Sequence, residues 1–145
     1  GVRIAGFGGA GPAVFGFPYE WSEEDADRGL ARLFDRAGAI DVFLCHTPPH
    51  GTSLDRTSIG EAVGSTAVAE WIPRVRPGLF LCGHIHEAYG LLDYYGVLCL
   101  NAGALGEPFG REIAWIVEWD GRAVSIESLH GGDGRVMSRS WPLPS

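Results

Sequence analysis

The chain has 145 residues, 46% of them hydrophobic, which is enough for one compact domain with a substantial core. Its formal net charge is -7 and its 11 Lys and Arg residues form no stripe, so a nucleic-acid-binding surface is disfavoured. No apolar run reaches the roughly 18 residues of a membrane span. Cys45, Cys82 and Cys99 each lie in an apolar run and are expected to be reduced core thiols of a cytoplasmic protein.

The first predicted elements are a strand, a glycine-rich loop and a helix. Residues 2–7 have the short apolar pattern of a strand. The helix is predicted to begin after Ser22, a good N-cap that is followed by three acidic residues suited to the positive end of the helix dipole. Gly38 is the expected end of this helix. Its apolar face is formed by Leu30, Leu33, Phe34 and Ala37.

Residues 6–11 read G-x-G-x-x-G after a strand, a pattern found in dinucleotide-binding folds. In those folds a helix opens at the glycines, so that its N-terminal amides meet the pyrophosphate. Here Pro12, Gly16 and Pro18 follow instead, and the helical pattern starts only at Ser22. We therefore interpret the segment as a glycine-rich loop.

The remaining elements are mostly strands. A buried strand is predicted over residues 41–46, and two consecutive prolines then make residues 47–56 a loop. A second helix is expected from about Ser65, with Pro73 ending or kinking it. Strands or extended segments follow over 79–82, 83–86, 97–100, 112–119 and 123–129, with turns at Asp120–Gly121 and 131–134 and a tail over 131–145. This order predicts a layered α/β fold followed by a β-meander.

Two groups of histidines stand at the ends of apolar strands, where α/β sheets form their sites. His46 ends one strand, and His84 and His86 follow another with Ile85 between them. An extended backbone would put the imidazoles of His84 and His86 on one side, about 6 to 7 Å apart, where each could serve one of two metals. The alternative for any of them is a hydrogen-bonded core or rim histidine.

Three segments carry a family resemblance: HTPPHGTSLD at residues 46–55, LCGHIHEAYG at 81–90 and NAG at 101–103. They resemble the last three signature blocks of the calcineurin-like metallophosphoesterases, most of all the prokaryotic relatives of the brain-expressed metallophosphodiesterases. The resemblance implies a layered α/β/β/α sandwich of which residues 1–145, a single partial domain, are the carboxyl-terminal half. It also implies that His46 and His84 share one metal and that His86 binds its neighbour, the two divalent ions being Mn, Ni, Zn or Fe.

Further residues near these histidines are candidates for the site. His50 and Asp55 are predicted to contact a substrate, and Asp55 is also expected to order the loop through a salt bridge with Arg56. The alternative for these residues is that they are solvated loop residues. Glu87, Tyr89 and Asn101 are predicted to orient the metal ligands, the alternative being surface or packing roles.

The departures from the family are as informative as the match. The family's Asp-x-His, Gly-Asp and Gly-Asn-His motifs do not occur before these segments, and Asn101, the only asparagine, is followed by alanine. No catalytic residue of the family is therefore predicted in this chain. Two cations close together need carboxylates and a bridging anion, which histidines alone do not supply. We expect either a fragment of a longer protein or a truncated or split-gene product, completed by its N-terminal half or by another chain.

Once completed, the protein is expected to hydrolyse phosphate esters, either monoesters or diesters, through a hydroxide that two divalent metals activate. The 145-residue chain alone is expected to be inactive. The rival hypothesis is a non-catalytic interaction or structural domain that retains the phosphoesterase fold.

Overall fold

A computed structural model describes residues 1–11, 16–103, 113–120, 123–130 and 136–142. Two α-helices are present in these ranges, α1 over Glu23–Ala37 and α2 over Thr66–Val75. The strands are β1 Ile4–Phe7, β2 Val42–Cys45, β3 Leu79–Cys82, β4 Gly90–Tyr94, β5 Val97–Asn101, β6 Ile113–Trp119, β7 Ala123–His130 and β8 Val136–Pro142.

The strands form two sheets. The larger sheet has the order β1-β2-β3-β5-β4, in which β1, β2, β3 and β5 run parallel and β4 pairs antiparallel with β5. The smaller sheet is an antiparallel meander of β6, β7 and β8. The predicted α/β fold ending in a β-meander is thus confirmed. Because the parallel strands share one direction, their carboxyl ends meet at a single edge of the large sheet.

Both helices begin where the sequence predicts, and one acidic side chain joins them. Oγ of Ser22 accepts from the N–H of Asp25, and Oγ of Ser65 caps α2 in the same way. Glu23 at the start of α1 also accepts from the N–H of Ala67, 2.8 Å away, in the first turn of α2. This carboxylate therefore stabilises the positive end of the α2 dipole.

The helices cover one face of the large sheet. Leu30 and Phe34 of α1 are buried against that face with Ile72 of α2. Phe43 of β2 and Phe80 of β3 have no exposed surface, and their rings lie 5.2 Å apart. Burial of each of these aromatic side chains stabilises the layer by about 1.5–3 kcal/mol.

The opposite face of the large sheet is covered only in part. Val42, Leu79, Leu98 and Leu100 pack against the small sheet, including Ile126 of β7. On the same face, Ile4 is 59% exposed and Leu44 is 40% exposed. The described residues therefore make three layers, helices, large sheet and small sheet, with an apolar strip left open along β1 and β2.

Several local predictions differ from the structure. Helix α2 continues through Pro73 to Val75, so the proline does not end it. Strand β4 was not predicted, and β8 lies in the region expected to be a tail. Within the turn at Asp120–Gly121, Gly121 is outside the described residues, as are Pro12, Glu112 and the turn at 131–134.

In the described ranges, the helices are too short and too polar for any of them to cross a lipid bilayer.

Candidate metal centre

The carboxyl ends of β2 and β3 bring two of the predicted ligands into contact. His46 directly follows β2, and His84 follows β3 by two residues. Nε2 of His46 and Nδ1 of His84 are 3.2 Å apart, with the ring centroids separated by 5.0 Å. Two nitrogens bound to one tetrahedral ion at ~2.1 Å are separated by roughly 3.4 Å. The observed pair therefore has the spacing that a shared ion needs.

The backbone that carries His84 and His86 is not extended, contrary to the sequence-based prediction for residues 83–86. The N–H of Gly83 donates to the carbonyl of His46 at 3.0 Å, and His84 then takes a φ of 69°. That left-handed conformation is uncommon for a non-glycine residue and concentrates at functional sites. A 3₁₀ turn, His86–Ala88, follows at once. The turn at His84, rather than an alternating strand, is what directs its imidazole toward His46.

The three histidines affect one another electrostatically. Burial lowers the pKa of His46, and the charge of His86 lowers it further. Burial also lowers the pKa of His84, followed by the charges of His46 and His86. His86 is therefore close enough to act on both partners. The lowered pKa values of His46 and His84 favour the neutral imidazoles that metal binding requires.

The loop after His46 is organised around Asp55, whose side chain has no exposed surface. Its Oδ2 accepts from the N–H groups of Gly51 at 2.8 Å and Gly64 at 3.1 Å, and its Oδ1 accepts from that of Thr52 at 3.1 Å. Its predicted contact with a substrate stays a prediction. This carboxylate lies inside the loop and holds its shape.

Asn101, at the end of β5, connects the two histidine loops. Its Nδ2 donates to the carbonyl of Leu54 at 3.0 Å and to that of Ile85 at 2.9 Å, and the side chain is fully buried. Leu54 belongs to the loop after His46, while Ile85 separates His84 from His86. The position fits the predicted orienting role, since one amide sets the distance between both loops.

The other predicted residues lie on the surface around this cluster. Oε1 of Glu87 accepts from the N–H of Ser58 at 2.8 Å, which also ties the two loops together. His50 is 43% exposed at its side chain, and its Nδ1 is 3.6 Å from Asp55. Tyr89 is 45% exposed. A depression of about 490 Å³ adjoins His46 and is lined by residues 6–8, 44–46 and 81–83.

Sequence analysis did not single out Glu20, a carboxylate whose charge acts on one of the histidines. It lies in the segment before α1, and its charge raises the pKa of His84, in opposition to the effect of burial. Oε1 of Glu20 is buried and has no hydrogen-bond partner among the described residues. No motif marks Glu20, because its proximity depends on how the segment before α1 folds back toward β2.

The three cysteines are buried and form no disulfide, in agreement with the prediction of core thiols. Burial raises the pKa of Cys45 to about 12, so this neighbour of His46 stays protonated at neutral pH. Within the described ranges, no three His, Cys, Asp or Glu side chains are arranged so that one ion could contact them all.

We expect the free energy of unfolding, measured in chelator, to fall as the pH is lowered through about 6.5. The pKa values of His46 and His84 lie below 6.5 in the folded protein, so the unfolded chain takes up protons first. Urea denaturation at pH 7.5 and pH 5.5 measures the difference. A His46→Gln variant should show a smaller pH dependence, and equal dependence in both proteins would contradict the expectation.

Comparisons with known proteins give the fold a context. No protein-family model matches the chain. The UPF0046 protein T07D4.2 of Caenorhabditis elegans is 33% identical over 88 residues, which are 55% of this chain and 22% of that protein. One crystal structure aligns with 95% of this chain and 48% of its own at a TM-score of 0.59 and 19% identity. The crystal structure of TT1561 from Thermus thermophilus aligns with 94% of this chain and 52% of its own at a TM-score of 0.51 and 21% identity.

The two aligned structures support the architecture and not a particular activity, because both identities are below a quarter. The chain spans about half the length of each. Their similarity extends over nearly all of this chain, including the parallel sheet and the helices that cover it. The comparisons thus show that the chain shares its layered α/β fold with these two crystal structures.

Proposed function

We propose that this chain supplies the histidine ligands of a metal-dependent phosphoesterase and hydrolyses phosphate esters once its site is completed. The observation that supports this proposal is the 3.2 Å distance between Nε2 of His46 and Nδ1 of His84, which lie at the ends of adjacent strands. His86 acts electrostatically on both and would serve a second ion. The proposal covers phosphomonoesters and phosphodiesters alike, and a cytoplasmic location accords with the buried thiols.

The donor set suits divalent ions of the Zn, Ni, Mn or Fe type, for which imidazole is a common ligand. When bound, such ions polarise phosphoryl oxygens and activate water. The residues of this chain have supporting roles. Asn101 and Glu87 join the two histidine loops, and the exposed ring of His50 would contact a substrate phosphate.

The remaining ligands would come from an N-terminal half of the same protein or from a complementing chain. The open apolar strip along β1 and β2 supports this, because Ile4 and Leu44 lie on a sheet face that is otherwise covered. Among the described residues, β1 is also an edge strand that pairs with β2 alone. A further strand added at that edge would stand next to the histidine cluster and bring its own side chains to the same rim.

A second candidate function is a non-catalytic interaction domain. One observation favours it: the described residues contain no group of three donors that one ion could contact together. In that case the open strip along β1 and β2 would be a surface for a partner protein. The histidines would be present, but the protein would catalyse no reaction.

Metal titration tests the proposed histidine site. We expect zinc or cobalt to bind the chain and His84→Ala to lower the affinity by at least 10-fold, because the shared ion loses one of its two imidazoles. His50→Ala is the matched control, since His50 lies in the neighbouring loop and is not a proposed ligand. Isothermal titration calorimetry gives both values. Equal loss of affinity in the two variants would argue against the His46–His84 site.

A further inference from the structure

The depression beside His46 lies on the face of the large sheet that the small sheet covers only in part. Gly6, Leu44 and Leu81 are register partners across β1, β2 and β3, so they form one row on that face. The row continues to Leu100 of β5, which is buried against the small sheet. Toward β1 the cover ends, and Leu44 is 40% exposed. The depression is therefore the uncovered end of this row, with His46 among the residues that line it.

Two glycines keep the depression open. A Cβ built on Gly6 or on Gly8 would meet no atom within 4 Å apart from its chain neighbours, so both positions face open space. Neither glycine has a positive φ, so the backbone conformation does not call for glycine there. What the missing side chains provide is a close approach to the backbone of β1. This explains part of the glycine-rich segment at residues 6–11, which the dinucleotide-binding pattern does not.

The lining of the depression is apolar apart from its end at His46. No Asp, Glu, Lys or Arg is among the residues described around it. Its volume of about 490 Å³ is in the range of small-molecule sites, which are mostly apolar and have a few polar groups that fix the orientation of the ligand. A ligand that matches this surface has a polar end at His46 and an apolar body over Leu44 and Leu81.

We propose that the phosphate esters that bind this site carry a flat aromatic group, which lies in the depression while the phosphate lies at His46 and His84. The inference rests on the proposed function and deepens it, because it names the substrate class. An aromatic ring gains free energy by burial against Leu44 and Leu81. A charged organic group would lose its hydration there and find no charged partner in the lining.

A completing half and an aromatic ring would occupy different places. A strand added at the free edge of β1 would lie in the plane of the large sheet. The depression lies over the face of that sheet, so the added strand would form a wall beside Gly6 and leave the floor at Leu44 open. The rival occupant is a part of the missing half that covers the row as the small sheet covers Leu100.

The test uses phenylphosphonate and methylphosphonate, which contain no ester bond to hydrolyse and differ only in the organic group. Calorimetry measures the affinity of each for the zinc-loaded 145-residue chain. Gly6→Leu fills the depression, and Leu44→Ser removes part of its apolar floor. Gly1→Leu is the matched control, because Gly1 is equally open and precedes β1, away from the strand end near the histidines. Circular dichroism verifies that every variant is folded.

We expect phenylphosphonate to bind at least about 10-fold more tightly than methylphosphonate, the usual gain for an apolar group that fits its pocket. In Gly6→Leu this preference should fall to about 2-fold or less, because the ring loses its place while the phosphonate group keeps its own. Leu44→Ser should lower the preference in part. Gly1→Leu should leave the affinities of both probes unchanged.

No binding of either probe, equal affinity for both, or a phenyl preference that Gly6→Leu leaves intact would overturn the proposal. It would also be wrong if the preference were lost once the N-terminal half is added, since that half would then fill the depression. If the preference and its loss in Gly6→Leu persist in chelator and in His84→Ala, the depression binds the ring and the histidine site of the proposed function fails.

Discussion

The 145-residue chain alone should show no chelator-sensitive hydrolysis of an aryl phosphate monoester or diester, whereas the chain completed by a half carrying the missing motifs should be active. The reason is the number of ligands. His46, His84 and His86 provide imidazoles, but none of the family's bridging carboxylate, asparagine ligand or Asn-His pair is in the sequence. Losing that positioning and charge stabilisation removes several kcal/mol of barrier lowering, which is orders of magnitude in rate.

The assay compares both forms of the protein with manganese, nickel and zinc, and with chelator as the control. In the completed protein, His84→Ala should abolish turnover and leave the fold intact, because His84 lies on the rim and outside both core clusters. Glu61→Gln serves as the matched control and should keep full activity. Robust chelator-sensitive turnover by the short chain alone would show that it already holds a working site, with ligands beyond the histidines.

Much of the fold follows from local sequence signals. The serine N-caps, the acidic first turn of α1 and the short apolar strands each act over a few residues, so the sequence locates them within two or three positions. The resemblance of three short motifs also places His46 and His84 at neighbouring strand ends, where they are in contact.

The errors arise where tertiary contacts override local pattern. The alternation of polar and apolar side chains over residues 83–86 predicts a strand. The N–H of Gly83 instead donates a hydrogen bond to the carbonyl of His46, and the backbone turns at His84. Strand β4 was missed because its hairpin turn uses Tyr95 and Gly96, both at positive φ, in place of the usual Asn-Gly. No local pattern marks Glu20, because the histidine on which its charge acts, His84, lies far away in the sequence.

Asp55 is the buried acceptor around which the loop after His46 is organised. We expect Asp55→Ala to lower the free energy of unfolding by about 3 kcal/mol, because it removes the acceptor of three backbone N–H groups. A residue that contacted substrate would behave differently, since its loss would raise KM and leave the stability almost unchanged.

Urea denaturation at neutral pH in chelator measures this effect without interference from metal. Glu61→Ala is the control and should change stability by less than about 0.5 kcal/mol, as exposed substitutions usually do. Asp55→Asn keeps one acceptor oxygen and the shape of the side chain. Its loss of stability should therefore fall between those of Asp55→Ala and Glu61→Ala. If Asp55→Ala were instead stable and raised the KM of the completed enzyme, Asp55 would be assigned to the substrate site.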